Sequence, residues 1–399
     1  MDWIKEESSY IFQTYRRQPL VIKKAKGSWV WDVAGKKYLD FFCGLAVNNL
    51  GHCHPAVVKA AEAQLKTLIH SSNVYYTQPQ ILLARELVAR SFPGKVFFCN
   101  SGAEANETAF KLARRWGQSH NRTEVISFEN SFHGRTLAAV TLTGQRKYQS
   151  GFAPLAEKVV YAAWNDLDSV NRLISDKTCA IFIEPVQGEG GINVADRIFL
   201  KALRELATRK NLLLVFDEVQ CGMGRTGELF AFQHFGVEPD VLCLAKGLGG
   251  GLPIGAVVAK PEIAALFSPG DHASTFGGNP VVAAAALAVL KTMSPAFLAA
   301  ARKKGLQLMQ ALQGLQREYP SLIKEVRGLG LMLGMELTVL GSTYVDSCRQ
   351  MGLLINCTHD TVLRIVPPLT VSGPEIASGV KILNQAFALA ASGKIHVKN

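Results

Sequence analysis

The sequence predicts an α/β protein, with a three-layer large domain around a mostly parallel sheet and a smaller α+β domain. Three observations carry this. From about residue 55, short continuous apolar runs such as Leu213-Leu214-Val215-Phe216 alternate with helical stretches, and strands apolar on both faces belong to sheets covered on both sides. After Asn279-Pro280 the alternation gives way to a long helical stretch followed by short strands. The 399 residues are 48% hydrophobic and 19% charged, enough for two or three domains with a large core. That balance excludes a disordered, collagen-like or coiled-coil chain.

Residues 1–54 read as a β-rich segment packing with the small domain. Its strands are expected at 20–22, 29–32 and 37–42, with turns at Gly27-Ser28 and Ala34-Gly35. The large domain is expected over 55–280. Helices there span 55–68, with Pro55 in the first turn, and 80–91. A strand at 95–99 runs into Asn100-Ser101-Gly102, followed by a helix over 103–116. In that helix Ala105, Ala109, Leu112, Ala113 and Trp116 share one face. Further strands are expected at 125–128, 138–142, 180–184, 212–217 and 241–245. The small domain, 281–399, opens with helix to about 319, broken near Ser294-Pro295. Strands near 326–327, 331–336, 353–356 and 362–366 follow, then a helix at 374–392.

The net charge of +11 is diffuse. Its densest clusters, Lys23, Lys24, Lys26 and Arg302-Lys303-Lys304, are too short for a stripe that follows a phosphate backbone, so no nucleic acid is expected. A positive surface helps to draw in small anionic substrates. The eight cysteines form no C-x-x-C and several lie in apolar runs, which reads as buried thiols in a reducing compartment. The first residues lack the apolar stretch of a secretory signal, and the longest clean apolar run, 281–290, is too short for a bilayer. A cytoplasmic protein without membrane contact is expected.

Four segments carry chemistry at strand ends or on glycine-rich loops, where open α/β sheets bind ligands. Ser101-Gly102-Ala103-Glu104 has the spacing of a capping box, and its free amides at a helix start suit a phosphate. Phe132-His133-Gly134-Arg135 joins an aromatic ring to an arginine able to grip a carboxylate. Asp217 and Glu218 end a buried strand, where a carboxylate needs a partner. Lys246 ends another, and a buried lysine readily becomes a neutral nucleophile for carbonyls. An amine, an anion cradle and a carboxylate in one domain suit pyridoxal phosphate: a lysine for its aldehyde, amides for its phosphate, an acid for its ring nitrogen.

Together with Glu184-Pro185-Val186-Gln187-Gly188-Glu189-Gly190-Gly191 and Ser274-Thr275-Phe276-Gly277-Gly278-Asn279-Pro280, these segments resemble the class III pyridoxal-phosphate aminotransferases. Their order and spacing match from about Tyr15 to the last helix. The resemblance implies fold type I, a homodimer with active sites at the subunit interface, and the following roles. Lys246 would carry the cofactor through a Schiff base and move a proton between substrate and cofactor. Asp217 would pair with the ring nitrogen, within a cofactor-binding stretch that includes Glu218. Gln220 would sit near the phenolic oxygen. Phe132 and Val219 would cover the two ring faces. Gly102 and Ala103 would bind the phosphate, and Thr275 would reach the phosphate of the neighbouring subunit. Arg135 would hold the α-carboxylate of the amino substrate, with Ser274 close by. Glu189 and Arg364 would form a switch pair. Glu189 masks Arg364 while the basic substrate reacts, then frees it for the α-carboxylate of 2-oxoglutarate or glutamate.

Gly44 stands where the ornithine-specific members resemble one another in carrying a tyrosine, which would contact a free α-amino group. Glycine leaves space for an acylated amine. The expected reaction is therefore between N-acetylornithine and 2-oxoglutarate, in arginine biosynthesis. Succinylornithine, ornithine, N-succinyl-diaminopimelate and 4-aminobutyrate are the alternative donors.

Two other signals are weaker. Gly222-Met223-Gly224-Arg225-Thr226-Gly227 matches G-x-G-x-x-G, but Asp217 to Cys221 separate it from the strand end that a dinucleotide site requires. His52-Cys53-His54 lacks the further ligands of a metal site, so no metal is expected.

Overall fold

The computed structural model describes residues 2–156 and 158–393. Seven strands form the central sheet, in the order Lys95–Cys99, Gly255–Ala259, Val241–Leu244, Leu213–Asp217, Thr178–Ile183, Glu124–Phe128, Val159–Ala162. From Val241–Leu244 to Val159–Ala162 every pairing is parallel. Gly255–Ala259 alone runs antiparallel to both neighbours. The sheet is mostly parallel, as expected.

Burial explains the apolar runs. Leu213–Asp217, Val241–Leu244 and Thr178–Ile183 are buried throughout. Leu213 and Val215 share a cluster with Ala105, Ala109, Leu112 and Ala113 of helix Gly102–Gln118. Leu214 and Phe216 point the other way and share a cluster with Phe199, Leu203 and Leu206 of helix Arg197–Lys210. Side chains alternating across a pleated strand thus fill both outer layers.

Several elements differ from expectation. Residues 138–142, read as a strand, lie in helix Leu137–Leu142. The Glu107 carboxylate accepts from the amides of Ala138 and Ala139 and caps that helix. A short apolar run fits either periodicity, and here a distant acid decides it. The strands Val159–Ala162 and Gly255–Ala259 and the helices Trp3–Tyr10, Arg197–Lys210 and Ser342–Gln350 add to the expected set. The first strand lies later than expected, at Ile22–Lys26.

Near the N-terminus, Ile22–Lys26, Trp29–Asp32 and Lys37–Asp40 form an antiparallel sheet. Leu353–Leu354, from far along the chain, adds to its edge in parallel. A C-terminal sheet runs in the order Ile323–Leu329, Met332–Leu337, Val362–Ile365, Asn356–Thr358. Helices Pro280–Thr292 and Pro295–Glu318 break at the expected place, where Ser294 accepts from the Phe297 amide as an N-cap. Helix Pro280–Thr292 lies on helices Pro55–Leu65 and Gln78–Arg90. No single helix among the described residues is long and apolar enough to cross a membrane. All eight cysteines are free thiols. Six are buried, whereas Cys357 is half-buried and Cys53 is exposed, against the expectation of uniform burial.

Candidate active site

A cavity of about 440 Å³ opens at the carboxyl ends of the central strands, where ligands bind in such sheets. Asp217 ends Leu213–Asp217, Glu184 directly follows Thr178–Ile183, and Lys246 lies two residues beyond Val241–Leu244. These three line the cavity with Gly102, Ala103, Asn106, Phe132, His133, Arg135, Val219 and Gln220.

Lys246 is half-buried and forms no hydrogen bond or ion pair among the described residues. Its φ of +41° is left-handed at a residue with a side chain. Such a conformation persists only where the surroundings over-determine it. Burial draws its amine below the ordinary lysine range, against the opposing pull of Glu189. Burial thus eases loss of the proton that must leave before the amine can act as a nucleophile.

Asp217 is buried on the cavity wall and accepts three hydrogen bonds. Asn106 Nδ2 and His133 Nδ1 donate to its Oδ2 at 2.7 and 2.8 Å, and the Val219 amide donates to its Oδ1 at 2.9 Å. Burial of His133 disfavours its charged form, but the bond to Asp217 outweighs burial and holds the imidazole above its ordinary value. Glu184 accepts from the amides of Phe132, at 2.9 Å, and Gly188, at 3.0 Å. Burial pushes its carboxyl up.

At the start of helix Gly102–Gln118, Ser101 Oγ accepts from the Glu104 amide and the Glu104 carboxylate accepts from the Asn100 amide. The amides of Gly102 and Ala103 are the unpaired donors of a first helical turn. A Cβ on Gly102 would stand 2.6 Å from Val219 Cγ1, so a larger residue here would displace the Val219 side chain. The Arg135 guanidinium stacks on Tyr148, 4.1 Å from the ring centroid.

Glu189 and Arg364, distant in sequence, form an ion pair at 2.5 Å. Burial would raise the Glu189 carboxyl, but Arg364, followed by Lys246, holds it below the usual range. Arg364 Nη1 also donates to Gln220 Oε1 at 3.1 Å, which links the pair to the cavity wall.

Four further expected residues lie off the cavity wall. Glu218 does not line the cavity. It is buried on the far side, accepts from the amides of Ala231 and Phe232 at 2.5 and 2.7 Å, and is pushed by burial to about 8. Alternation along the strand turns it away from Asp217. Gly44 is exposed and absent from the cavity wall, to which Leu45 and Val47 contribute instead. Ser274 and Thr275 lie on a neighbouring loop, where Asn100 Nδ2 donates to Ser274 Oγ at 3.1 Å. Asn106, His133 and Glu184 were not singled out from sequence. Asn106 carried a signal nonetheless, as a polar residue next to the apolar face of its helix, because buried amides need partners.

Of the two weaker signals, His52 Nε2 bonds to Asp40 Oδ2 at 2.7 Å and Cys53 is exposed. Within the glycine-rich segment Arg225 is buried and donates to the carbonyls of Leu331 and Pro367.

Residues 10–387 match the family described as Aminotransferase class-III. The acetylornithine aminotransferase of Methanocaldococcus jannaschii is 52% identical over 390 residues, covering 97% of this chain and 98% of that relative. Among solved structures, an ornithine aminotransferase from Toxoplasma gondii, described with partial occupancy of PLP at its active site, superposes with a TM-score of 0.93 at 32% identity. That match covers 98% of this chain and 94% of the other. The acetylornithine aminotransferase of Elizabethkingia anophelis superposes with a TM-score of 0.86 at 31% identity, covering 97% and 98%. The motifs, the sheet and the relatives agree over nearly the whole length, and the chain belongs to the class III aminotransferases.

Proposed function

We propose that this chain transfers the ω-amino group of N-acetylornithine to 2-oxoglutarate, yielding N-acetylglutamate 5-semialdehyde and glutamate, as a step of arginine biosynthesis. The observation that carries the reaction type is the unpaired Lys246 amine facing the same cavity as the buried Asp217 carboxylate. The donor is read from the relatives, which at 52% and 49% identity are acetylornithine aminotransferases.

The cofactor is pyridoxal phosphate, and the site fits it. The unpaired amides of Gly102 and Ala103 suit its phosphate, Gly102 packs without a side chain directly against Val219, which would cover one ring face, and Asp217 suits its ring nitrogen. When bound, the cofactor supplies an electron sink for the carbon that loses a proton. The protein supplies the rest. Lys246 Nζ takes the proton from the substrate carbon that bears the amine. Asp217, fixed by three donors, holds a proton at the ring nitrogen. Phe132 and Val219 confine the ring, and Arg135 receives the substrate α-carboxylate. Glu189 covers Arg364 while the donor reacts and uncovers it for the acceptor.

Visible absorption of the purified protein tests this reading. A band that bleaches with N-acetylornithine and returns with 2-oxoglutarate is expected. Bleaching only with another amine would keep the reaction and change the donor. No band after addition of pyridoxal phosphate would overturn it.

Two substitutions test the parts. Gly102→Ala overpacks against Val219 and shifts both residues of the cofactor site at a cost of about 1–3 kcal/mol. Cofactor retention, measured by dialysis, is expected to weaken about 5- to 150-fold by the same conversion. Glu189→Ala leaves Arg364 permanently uncovered. The ratio of half-reaction rates for N-acetylornithine and glutamate is expected to shift about 10-fold towards glutamate, and equal losses with both would remove the switch.

The functional unit is read as a homodimer. Ile69, Val74, Tyr75, Tyr76 and Phe276 expose an apolar belt beside Thr275, of the kind that marks a protein interface. Asn73 Nδ2 ties this belt to the loop by donating to the carbonyls of Ser274 and Gly277. Across the dimer Thr275 would reach the partner's cofactor phosphate. Tyr76→Asp is expected to yield monomers in sedimentation and to release cofactor in parallel.

A further inference from the structure

Arg364 has neutral partners as well as Glu189. Its Nε donates to Asn356 Oδ1 at 3.1 Å, and its Nη1 donates to Gln220 Oε1 at 3.1 Å. Asn356 and Arg364 face each other across the antiparallel pair Asn356–Thr358 and Val362–Ile365, so strand register brings them together. Arg364 is only 1% exposed, and among the described residues Glu189 is its one carboxylate partner.

The main chain that carries Glu189 is fastened separately. Thr358 Oγ1 donates to the Glu189 carbonyl at 2.6 Å, and the Arg327 guanidinium donates to the Gly191 carbonyl. Withdrawal of the Glu189 carboxylate therefore requires only a side-chain rotation. The guanidinium it leaves behind is buried, cationic and without a counter-charge. Such a group needs acceptors to stay in place, yet any second carboxylate would cancel the charge that the incoming substrate is to meet.

We infer that Asn356 is a specificity-determining positioning residue, whose neutral amide oxygen holds Arg364 in register for the α-carboxylate of the dicarboxylic substrate without competing for its charge. This rests on the reading of Arg364 as the receiver of that carboxylate. Asparagine, unlike aspartate, orients the guanidinium and leaves it unmasked. An apolar residue would mask nothing but would leave Nε unpaired and the guanidinium plane free to turn.

Asn356→Asp separates these roles, because it keeps the shape and the acceptor while adding a permanent charge. The probe is glutarate, an unreactive dicarboxylate of the same length as 2-oxoglutarate, titrated calorimetrically into the cofactor-loaded enzyme. Half-reactions with N-acetylornithine and glutamate are run beside it. Asn356→Asp is expected to weaken glutarate binding and raise the KM for glutamate at least about 10-fold, with the KM for N-acetylornithine within about 3-fold. Asn356→Ala is expected to weaken glutarate by a smaller factor, about 3- to 10-fold. Glutarate bound by Asn356→Asp within about 2-fold of the parent would overturn the inference. So would parallel loss of both substrates, or failure to fold, since either makes Asn356 merely structural. Arg364→Ala distinguishes the two levels. If it binds glutarate as the parent does, the reading of Arg364 itself fails. If it loses glutarate while Asn356→Asp does not, only the role of Asn356 falls.

Discussion

Lys246→Ala is expected to lose transamination by at least about 10⁴-fold while the protein folds normally. Two functions vanish with the amine, the covalent hold on the cofactor and the movement of the proton at the substrate carbon. Nothing else lining the cavity replaces them. Arg135, the other strongly basic side chain on the cavity wall, is a guanidinium rather than an amine, and Asp217 is a carboxylate that already accepts from three donors. Stability is a separate matter. Among the described residues the amine has no hydrogen bond or ion pair to lose, and its burial disfavours the charged form. The thermal midpoint is therefore expected to stay within a few degrees of the parent, a change of about 1 kcal/mol or less. Lys246→Arg gives an independent arm, since it keeps a cation of similar length but cannot deprotonate. It is expected to be as inactive as the alanine variant. Steady-state turnover, cofactor content and a melting curve on both variants decide the matter, and either variant retaining a tenth of the parent rate would remove Lys246 from the chemistry.

The difference between what could and could not be read from the sequence follows interaction range. Strands such as Lys95–Cys99 and the break at Ser294-Pro295 are dictated locally, by an apolar run or by a cap followed by proline. Helix Leu137–Leu142 is not, because Glu107 on another helix caps it. The strand Gly255–Ala259 opens with a glycine after a glycine-rich loop, which reads as a turn. Its place depends on two antiparallel partners, one of them 158 to 164 residues upstream by register of Ala256 with Phe98 and Ala259 with Lys95. The same contrast holds in the site. Lys246 and Asp217 advertise themselves as charges ending apolar runs. Glu218 has the same local context as Asp217, and only the pleat of the strand and the amides of Ala231 and Phe232 separate a cavity residue from an interior cap. Asn356 has no local signal, because its meaning lies in the strand opposite.

Asp217→Asn is expected to lower turnover about 10²- to 10⁴-fold, because a neutral amide cannot hold a proton at the cofactor's ring nitrogen by charge. Its effect on stability is as informative. Three donors converge on the carboxylate, from Asn106, His133 and Val219. An asparagine has one acceptor oxygen, and its amide group would meet at least one of those donors head-on. A buried donor left unpaired costs about 1–3 kcal/mol. The loss should depend on pH with a definite sign. His133 is held above its ordinary value of 6.5 through Asp217. A histidine raised on folding contributes stability in full below its unfolded value, and that contribution fades as pH rises through the folded value. Asparagine removes the partner that raises it. The stability gap between parent and Asp217→Asn is thus expected to be widest in mild acid and to narrow as pH climbs through the raised value of His133. Denaturant melts of both proteins across that range measure it. A gap that stays constant would mean that His133 is neutral in the folded protein and that Asp217 is held by ordinary hydrogen bonds alone.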